Sequence, residues 1–206
     1  MRKTNPIHNM LNAAKPENHP LVYLKKKFEY FLNAVHYCLF LEEIWSTRII
    51  EKGMQRLFHG LSVLLNFERF YEKKMEERRK NKDLHEYFYG KKSGQSISLA
   101  HHWFGFFYSG YPCFLSFILA GIHIRLSENV NTLTIALAVF PPILLFYIPA
   151  YRAVFSKDRY LKYFKQFEKE DEQWHKKWKW RTIAFCVGST MTSLLGICAA
   201  WAILLL

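Results

Sequence analysis

Three long segments of the chain contain no Lys, Arg, Asp or Glu. They cover residues 95–124, 129–151 and 182–206, and apolar side chains dominate each of them. A transmembrane helix needs about 20 apolar residues to cross the hydrocarbon core of a bilayer. Three such segments in one chain of 206 residues favour membrane insertion over burial in a soluble core. We therefore predict transmembrane spans over about 99–124, 132–152 and 182–206.

The residues before the first span also show a helical pattern. No proline occurs between Pro20 and Pro112, and apolar side chains recur at helical spacing, namely Leu57, Leu61, Leu64 and Leu65. Gly53 and Gly60 are candidate breaks in this helix, because glycine weakens a helix interior. No alternating strand pattern occurs. The fold class is therefore predicted as all-α, a polytopic membrane protein with three transmembrane helices.

Two regions follow from these patterns. Residues 1–96 are predicted to form a basic helical region, cytoplasmic or at the membrane interface. Residues 97–206 are predicted to form the transmembrane bundle, which includes a basic loop over 153–181. The polar segment "GKKSGQS", residues 90–96, predicts a hinge that leads into the first span.

A fourth span over residues 28–50 is the main alternative topology. The segment "YFLNAVHYCLFL", residues 30–41, is apolar almost all round, but extending it to spanning length includes Glu42, Glu43 and Arg48. Each charge at the middle of a membrane costs roughly 2.5–3.5 kcal/mol on insertion scales. Residues 21–50 are therefore predicted to form a helix that lies on the membrane or packs against the bundle.

The distribution of charge predicts the orientation. The formal net charge is +12, with eight Lys and Arg residues in 73–96 and ten in 152–181. Between the first two spans, the only charged residues are Arg125 and Glu128. Because loops rich in Lys and Arg remain in the cytoplasm, the N-terminus is predicted to be cytoplasmic and the C-terminus outside.

The segment "EKEDEQWHKKWKWR", residues 168–181, stands directly before the third span. Its tryptophans and bases predict an anchor at the membrane interface, formed by Trp174, Lys176, Lys177, Trp178, Lys179, Trp180 and Arg181. Tryptophan prefers the headgroup level, and Lys and Arg there attract anionic lipid. Stacking tryptophans beside bases could also bind nucleic acid. That partner is disfavoured, because four acids offset the five bases of this segment.

Small residues recur every four positions in the third span. This small-residue stripe consists of Ala184, Gly188, Thr192, Gly196 and Ala200. Such a stripe allows another helix backbone to approach closely, either in the same chain or in a neighbouring subunit. In the second span, Pro141, Pro142 and Pro149 predict helix kinks, because proline removes a backbone donor. The predicted partners are therefore the lipid bilayer and either further copies of this chain or other subunits of a membrane complex.

Chemically specialised residues are sparse. The predicted spans contain no acidic residue and no lysine, which disfavours proton-coupled and ion-coupled transporters. The four cysteines lie far apart without a CxxC pair, so neither a metal site nor a cofactor is predicted.

One short motif could support catalysis. The segment "RRKNKDLH" places Arg79 six residues before His85. It resembles the Arg-x4–6-His motif of HEPN ribonucleases, in which the two side chains form an acid–base pair. The resemblance implies a membrane-tethered ribonuclease that uses Arg79 and His85. The alternative is a solvated charged face of a helix without a catalytic role.

The C-terminal quarter carries a second resemblance. The segment "SKDRYLKYFKQFEKEDEQWHKKWKWRTIAF", within residues 156–206, resembles small multi-pass inner-membrane proteins of Bacteroidota. A basic helical region on a small bundle is also similar in plan to membrane accessory proteins of bacterial defence loci. These resemblances imply a location in the bacterial inner membrane.

The functional expectation combines these observations. We expect a non-enzymatic, oligomeric membrane protein that is an accessory or pore-forming component of a larger bacterial system. A membrane-tethered ribonuclease and a simple structural membrane subunit are the two alternatives.

Overall fold

A computed structural model of the protein describes residues 20–127 and 130–206, and these residues form helices and no strand. The predicted all-α fold is therefore confirmed. The α-helices are α1 (Pro20–Leu64), α2 (Glu68–Lys80), α3 (Lys82–Tyr89), α4 (Gln95–Leu126), α5 (Thr132–Val154), α6 (Arg159–Phe167) and α7 (Glu172–Leu205). A short 3-10 turn, Ser156–Asp158, joins α5 to α6.

Three segments of the described chain are long and apolar enough to cross a membrane. They are Gln95–Leu126, Thr132–Phe167 and Glu172–Leu205, which contain α4, α5 and α7. The prediction of three spans is confirmed, and the chain is a multi-pass membrane protein. Among the described helices, α1 does not belong to this set. The charges at Glu42, Glu43 and Arg48 interrupt its apolar segment.

The helices form two compact units. The bundle unit combines the described parts of Met1–Tyr37 and Phe107–Leu206, and the second unit is Cys38–Phe106. Helices α1 and α4 contribute residues to both units. The division predicted between residues 96 and 97 stays a prediction.

In the second unit, α1 continues through Gly53 and Gly60, so neither glycine breaks it. The helix ends instead at Asn66, which adopts a left-handed φ of 57°. The Phe67 N–H donates to the Ser62 carbonyl at 2.9 Å, and the Asn66 N–H donates to the Val63 carbonyl at 3.2 Å. This is the Schellman arrangement, with asparagine at the position that glycine usually takes.

Helices α2 and α3 are separated by a single residue, Asn81. Its side-chain oxygen accepts the Leu84 N–H at 3.1 Å and caps the first turn of α3. Helix α2 begins with Glu68 and ends with three bases, Arg78, Arg79 and Lys80. This order complements the helix dipole, because acids stabilise N-termini and bases stabilise C-termini.

Contacts within the bundle unit give the relative directions of the three spans. Phe107 and Arg125 of α4 contact Ser189 and Ile203 of α7, so the two helices run parallel. The hydroxyls of Tyr108 and Ser116 bond to the carbonyls of Phe146 and Val139, so α5 runs antiparallel to α4. Three successive crossings of one membrane require this alternation.

Candidate functional site

The small-residue stripe of α7 contributes to a close contact with α4. A Cβ atom added at Gly196 would lie 2.8 Å from the Cα of Phe114, which is closer than real Cβ atoms approach. A Cβ atom added at Gly121 would lie 3.1 Å from the Cα of Ala200. The stripe therefore meets a helix of its own chain at Gly196 and Ala200, one of the two arrangements that the sequence left open.

The remaining stripe residues have different surroundings. A Cβ atom at Gly188 would meet the Tyr111 hydroxyl at 3.0 Å, at the end of a side chain rather than at a backbone. The Thr192 hydroxyl donates to the Gly188 carbonyl of its own helix at 2.7 Å. Ala184 is exposed. The contribution of the whole stripe to helix packing stays a prediction for mutagenesis.

Hydroxyl groups strengthen the same α4–α7 contact. The Ser193 hydroxyl donates to the Gly110 carbonyl at 3.0 Å, and the Tyr111 hydroxyl donates to the Phe185 carbonyl at 2.8 Å. The Ser189 hydroxyl also donates to a carbonyl of α4, at Phe107. Such bonds average about 0.6 kcal/mol each in membrane bundles. Gly110 allows this approach, a role that the sequence pattern does not indicate.

Helix α4 also contacts α5, the proline-rich span. Helix α5 continues through Pro141, Pro142 and Pro149, and Pro142 is buried. Ser116 donates to the Val139 carbonyl at 2.8 Å, and Tyr108 donates to the Phe146 carbonyl at 3.1 Å. Polar side chains of α4 therefore bond backbone carbonyls of α5 close to the prolines and hold the two helices together. The predicted kinks stay a prediction.

Two tryptophans of the predicted interfacial anchor lie inside an aromatic cluster. Trp174 stacks on Phe167 with ring centroids 4.9 Å apart, and its indole N–H donates to the Tyr30 hydroxyl at 2.9 Å. Trp178 is 4% exposed, with its ring centroid 5.6 Å from that of Tyr30. These contacts, together with Phe31, define the aromatic junction between α1, α6 and α7.

The other anchor residues face outward. Trp180 is 65% exposed, and Lys176, Lys177, Lys179 and Arg181 are exposed as well. The Arg181 guanidinium lies 4.8 Å from the ring centroid of Trp178. Only the exposed members are therefore available to lipid headgroups, and their contact with a membrane stays a prediction.

Polar contacts accompany the aromatic junction. The Asn33 amide donates to the Ala153 carbonyl at 3.1 Å, and Arg159 lies 3.4 Å from Glu29. Residues 32–37 of α1 are buried. This part of α1 therefore packs against the loop between the second and third spans. The tryptophans can be recognised from the sequence pattern, but these partners cannot.

Arg79 and His85 line the same cavity of the second unit. The cavity has a volume of about 180 Å³, and Glu51, Arg78 and Tyr89 also line it. The Tyr89 hydroxyl donates to the Glu51 carboxylate at 2.7 Å, and the Arg78 guanidinium lies 3.8 Å from that carboxylate. The structure thus brings together the two residues of the ribonuclease alternative, with an acid, Glu51, that is distant from them in sequence.

The pKa of Tyr89 provides a test of this cluster. Burial, followed by the hydrogen bond to Glu51, raises the pKa of Tyr89 to about 12. A difference titration between the wild-type chain and Tyr89→Phe, followed by tyrosinate absorbance, should therefore show one group that ionises near pH 12. A difference centred near the ordinary tyrosine pKa of about 10 would contradict the half-buried contact with Glu51.

The raised pKa also predicts a pH dependence of stability. Below the unfolded-state pKa of about 10, both states keep the phenol proton, so the contribution of Tyr89 is complete. As the pH rises from there towards about 12, the unfolded state loses the proton first and the contribution declines. Tyr89→Phe should lose less stability over this range than the wild-type chain does.

No protein-family model, curated protein or solved structure matches this chain. Within residues 20–127 and 130–206, His, Cys, Asp and Glu form no group of three or more that could hold a metal ion.

Proposed function

We propose that the chain is a non-enzymatic, oligomeric membrane protein that serves as an accessory or pore-forming component of a larger bacterial system. Defence systems are the class whose membrane accessory proteins have a similar plan. The observation that supports a packing role for the bundle, rather than a transport role, is that its polar side chains bond to the backbones of neighbouring helices. Ser116, Ser193 and Tyr111 each donate to a backbone carbonyl of a neighbouring helix. These groups therefore stabilise the bundle, which suits a membrane module better than a coupled transporter.

The proposed location is the bacterial inner membrane, with the N-terminus in the cytoplasm and the C-terminus outside. The alternating directions of α4, α5 and α7 support this topology, because they are compatible with a single membrane plane. The basic residues in 73–96 and 152–181 support the choice of cytoplasmic side. In this orientation Lys176, Lys177 and Lys179 would meet anionic headgroups of the inner leaflet.

Light scattering on the purified protein tests the oligomeric part of the proposal. The chain has a mass of 24.6 kDa, so an oligomer should give an integer multiple after correction for bound detergent. A pore-forming oligomer should also release a small ion that is trapped inside sealed vesicles, and an accessory subunit should release none. A monomeric mass over the whole usable concentration range would contradict self-association.

A membrane-tethered ribonuclease is the second candidate function. The observation that favours it is the shared cavity, in which Arg79 and His85 could reach one RNA phosphate group. Purified wild-type protein, Arg79→Ala and His85→Ala should be incubated with a labelled single-stranded RNA. Cleavage by the wild-type chain that both substitutions abolish would support the ribonuclease and overturn the non-enzymatic proposal. We expect no cleavage above the level of a mock purification.

A further inference from the structure

An exposed apolar face lies on the last four turns of α1. Five of its side chains follow one another at spacings of four, three, four and three residues: Ile50, Met54, Leu57, Leu61 and Leu64. Each is between 45% and 81% exposed. We call these five residues the heptad seam. The spacing is that of the a and d positions in a two-stranded coiled coil.

Two glycines border the heptad seam. Gly53 and Gly60 are seven residues apart, both are helical, and a Cβ atom added at either would meet nothing within 4 Å. Glycine weakens a helix interior relative to alanine, and no positive φ or internal close contact requires it here. A second helix that approaches this face closely would account for both glycines. A lipid surface would not require them.

Large side chains border the opposite edge of the heptad seam. They are Phe58 and Leu65, which are 49% and 66% exposed. In a parallel pair of helices, the residue directly before an a position on one helix lies beside the residue numbered five higher on the other helix. Gly53 would then face Phe58 of a second copy, and Gly60 would face Leu65. The two edges are therefore complementary in size.

The exposed area is comparable to one side of a specific interface. A large side chain has on the order of 200 Å² of accessible surface. Multiplied by this surface, the exposed fractions of the heptad seam, Phe58 and Leu65 give a combined exposed area of roughly 800 Å² on each copy. This is about what one partner contributes to a specific interface of standard size.

We propose that the heptad seam joins two copies of the chain as a parallel coiled coil. The proposal rests on the proposed oligomeric function and identifies the surface that mediates it. Parallel pairing follows from the two edges, because this orientation places the glycine edge of one copy against the Phe58 and Leu65 edge of the other. The heptad seam, rather than the small-residue stripe, then forms the contact between copies, because α4 of the same chain meets that stripe at Gly196 and Ala200.

Cysteine cross-linking of the full chain in lipid vesicles tests the proposal. In a parallel pair, Leu57 of one copy faces Leu57 of the other, so Leu57→Cys should form a disulfide-linked dimer under mild oxidation. The matched control is Val63→Cys, because Val63 is 52% exposed and lies on the other side of the same helix. The wild-type chain, which has four native cysteines, sets the background.

A second variant separates close helix contact from simple exposure. Gly60→Leu adds a bulky group at the edge of the heptad seam. Combined with Leu57→Cys, it should reduce the yield of cross-linked dimer several-fold. An unchanged yield, or equal yields from Leu57→Cys and Val63→Cys, would overturn the proposal.

Light scattering distinguishes failure of this inference from failure of the proposed function. An oligomeric mass without cross-linking at Leu57→Cys would overturn the heptad seam and leave the oligomeric function standing. A monomeric mass would overturn both. A fluorophore attached to Leu57→Cys provides a further check. If quenchers carried by the lipid reach this fluorophore in a monomeric sample, the bilayer covers this face, and the proposal is overturned.

Discussion

Replacing Gly196 by isoleucine is expected to destabilise the protein strongly. The Cβ atom of any other residue would lie 2.8 Å from the Cα of Phe114, so the backbones of α4 and α7 would have to separate. Overpacking usually costs about 1–3 kcal/mol, and we expect the upper end because the obstacle is a backbone atom. The expected result is a lower melting temperature in detergent and a tendency to aggregate.

Ala184→Ile is the matched control for Gly196→Ile. It introduces the same side chain on the same helix and the same small-residue stripe, but Ala184 is exposed. Its melting temperature should stay close to that of the wild-type chain. If Gly196→Ile melted like Ala184→Ile, then Gly196 would face lipid and the α4–α7 contact would be wrong. A clean shift from oligomer to stable monomer would instead place the stripe between subunits.

Replacing Trp178 by alanine is expected to have the second large effect. Its side chain is 4% exposed and contacts Tyr30 and Phe31 of α1. Truncation of a buried aromatic side chain typically costs about 3–5 kcal/mol. We therefore expect a marked fall in melting temperature, and faster proteolysis of α1 as it loses its contact with α7.

Trp180→Ala separates packing from membrane anchoring. Trp180 is 65% exposed, so its truncation should change the free energy of unfolding by only about 0.5 kcal/mol. It should instead weaken the interfacial position of α7, measured as greater quenching of Trp fluorescence by water-soluble quenchers. Equal loss of thermal stability in Trp178→Ala and Trp180→Ala would contradict the distinction between a buried Trp178 and an exposed Trp180.

The three spans could be predicted because the membrane excludes charge. A single uncharged segment is a local property of the sequence, and α4, α5 and α7 each contain one. Helix ends were less predictable. Helix α7 begins at Glu172, ten residues before the predicted span, because the Asp171 side chain accepts the Trp174 N–H at 2.7 Å. A helix can therefore extend beyond the segment that crosses the lipid.

The partners of each helix face could not be predicted from local patterns. The small-residue stripe predicted close contact, but its partner depends on Gly110 and Gly121 of α4, whose separation of eleven residues is not part of a four-residue repeat of glycines. The aromatic junction joins Trp174 to Tyr30 over 144 positions of sequence. Tryptophans before a span have the same local pattern whether they face lipid or another helix.

The candidate cavity shows the same limit. Arg79 and His85 could be selected because they are close in sequence. Glu51 and Tyr89 are 38 residues apart, and only the folded chain brings their side chains into contact. Long-range packing, rather than residue type, determines which polar groups of the second unit share a cavity.

The alternating three-span topology is the central claim, and reporter fusions test it most directly. Reporters that are active in only one compartment should be fused after Asn131 and after Lys169. The proposed topology predicts an extracytoplasmic signal after Asn131 and a cytoplasmic signal after Lys169. A cytoplasmic signal after Asn131 would contradict it, because the loop between α4 and α5 would then lie on the opposite side of the membrane from the one proposed.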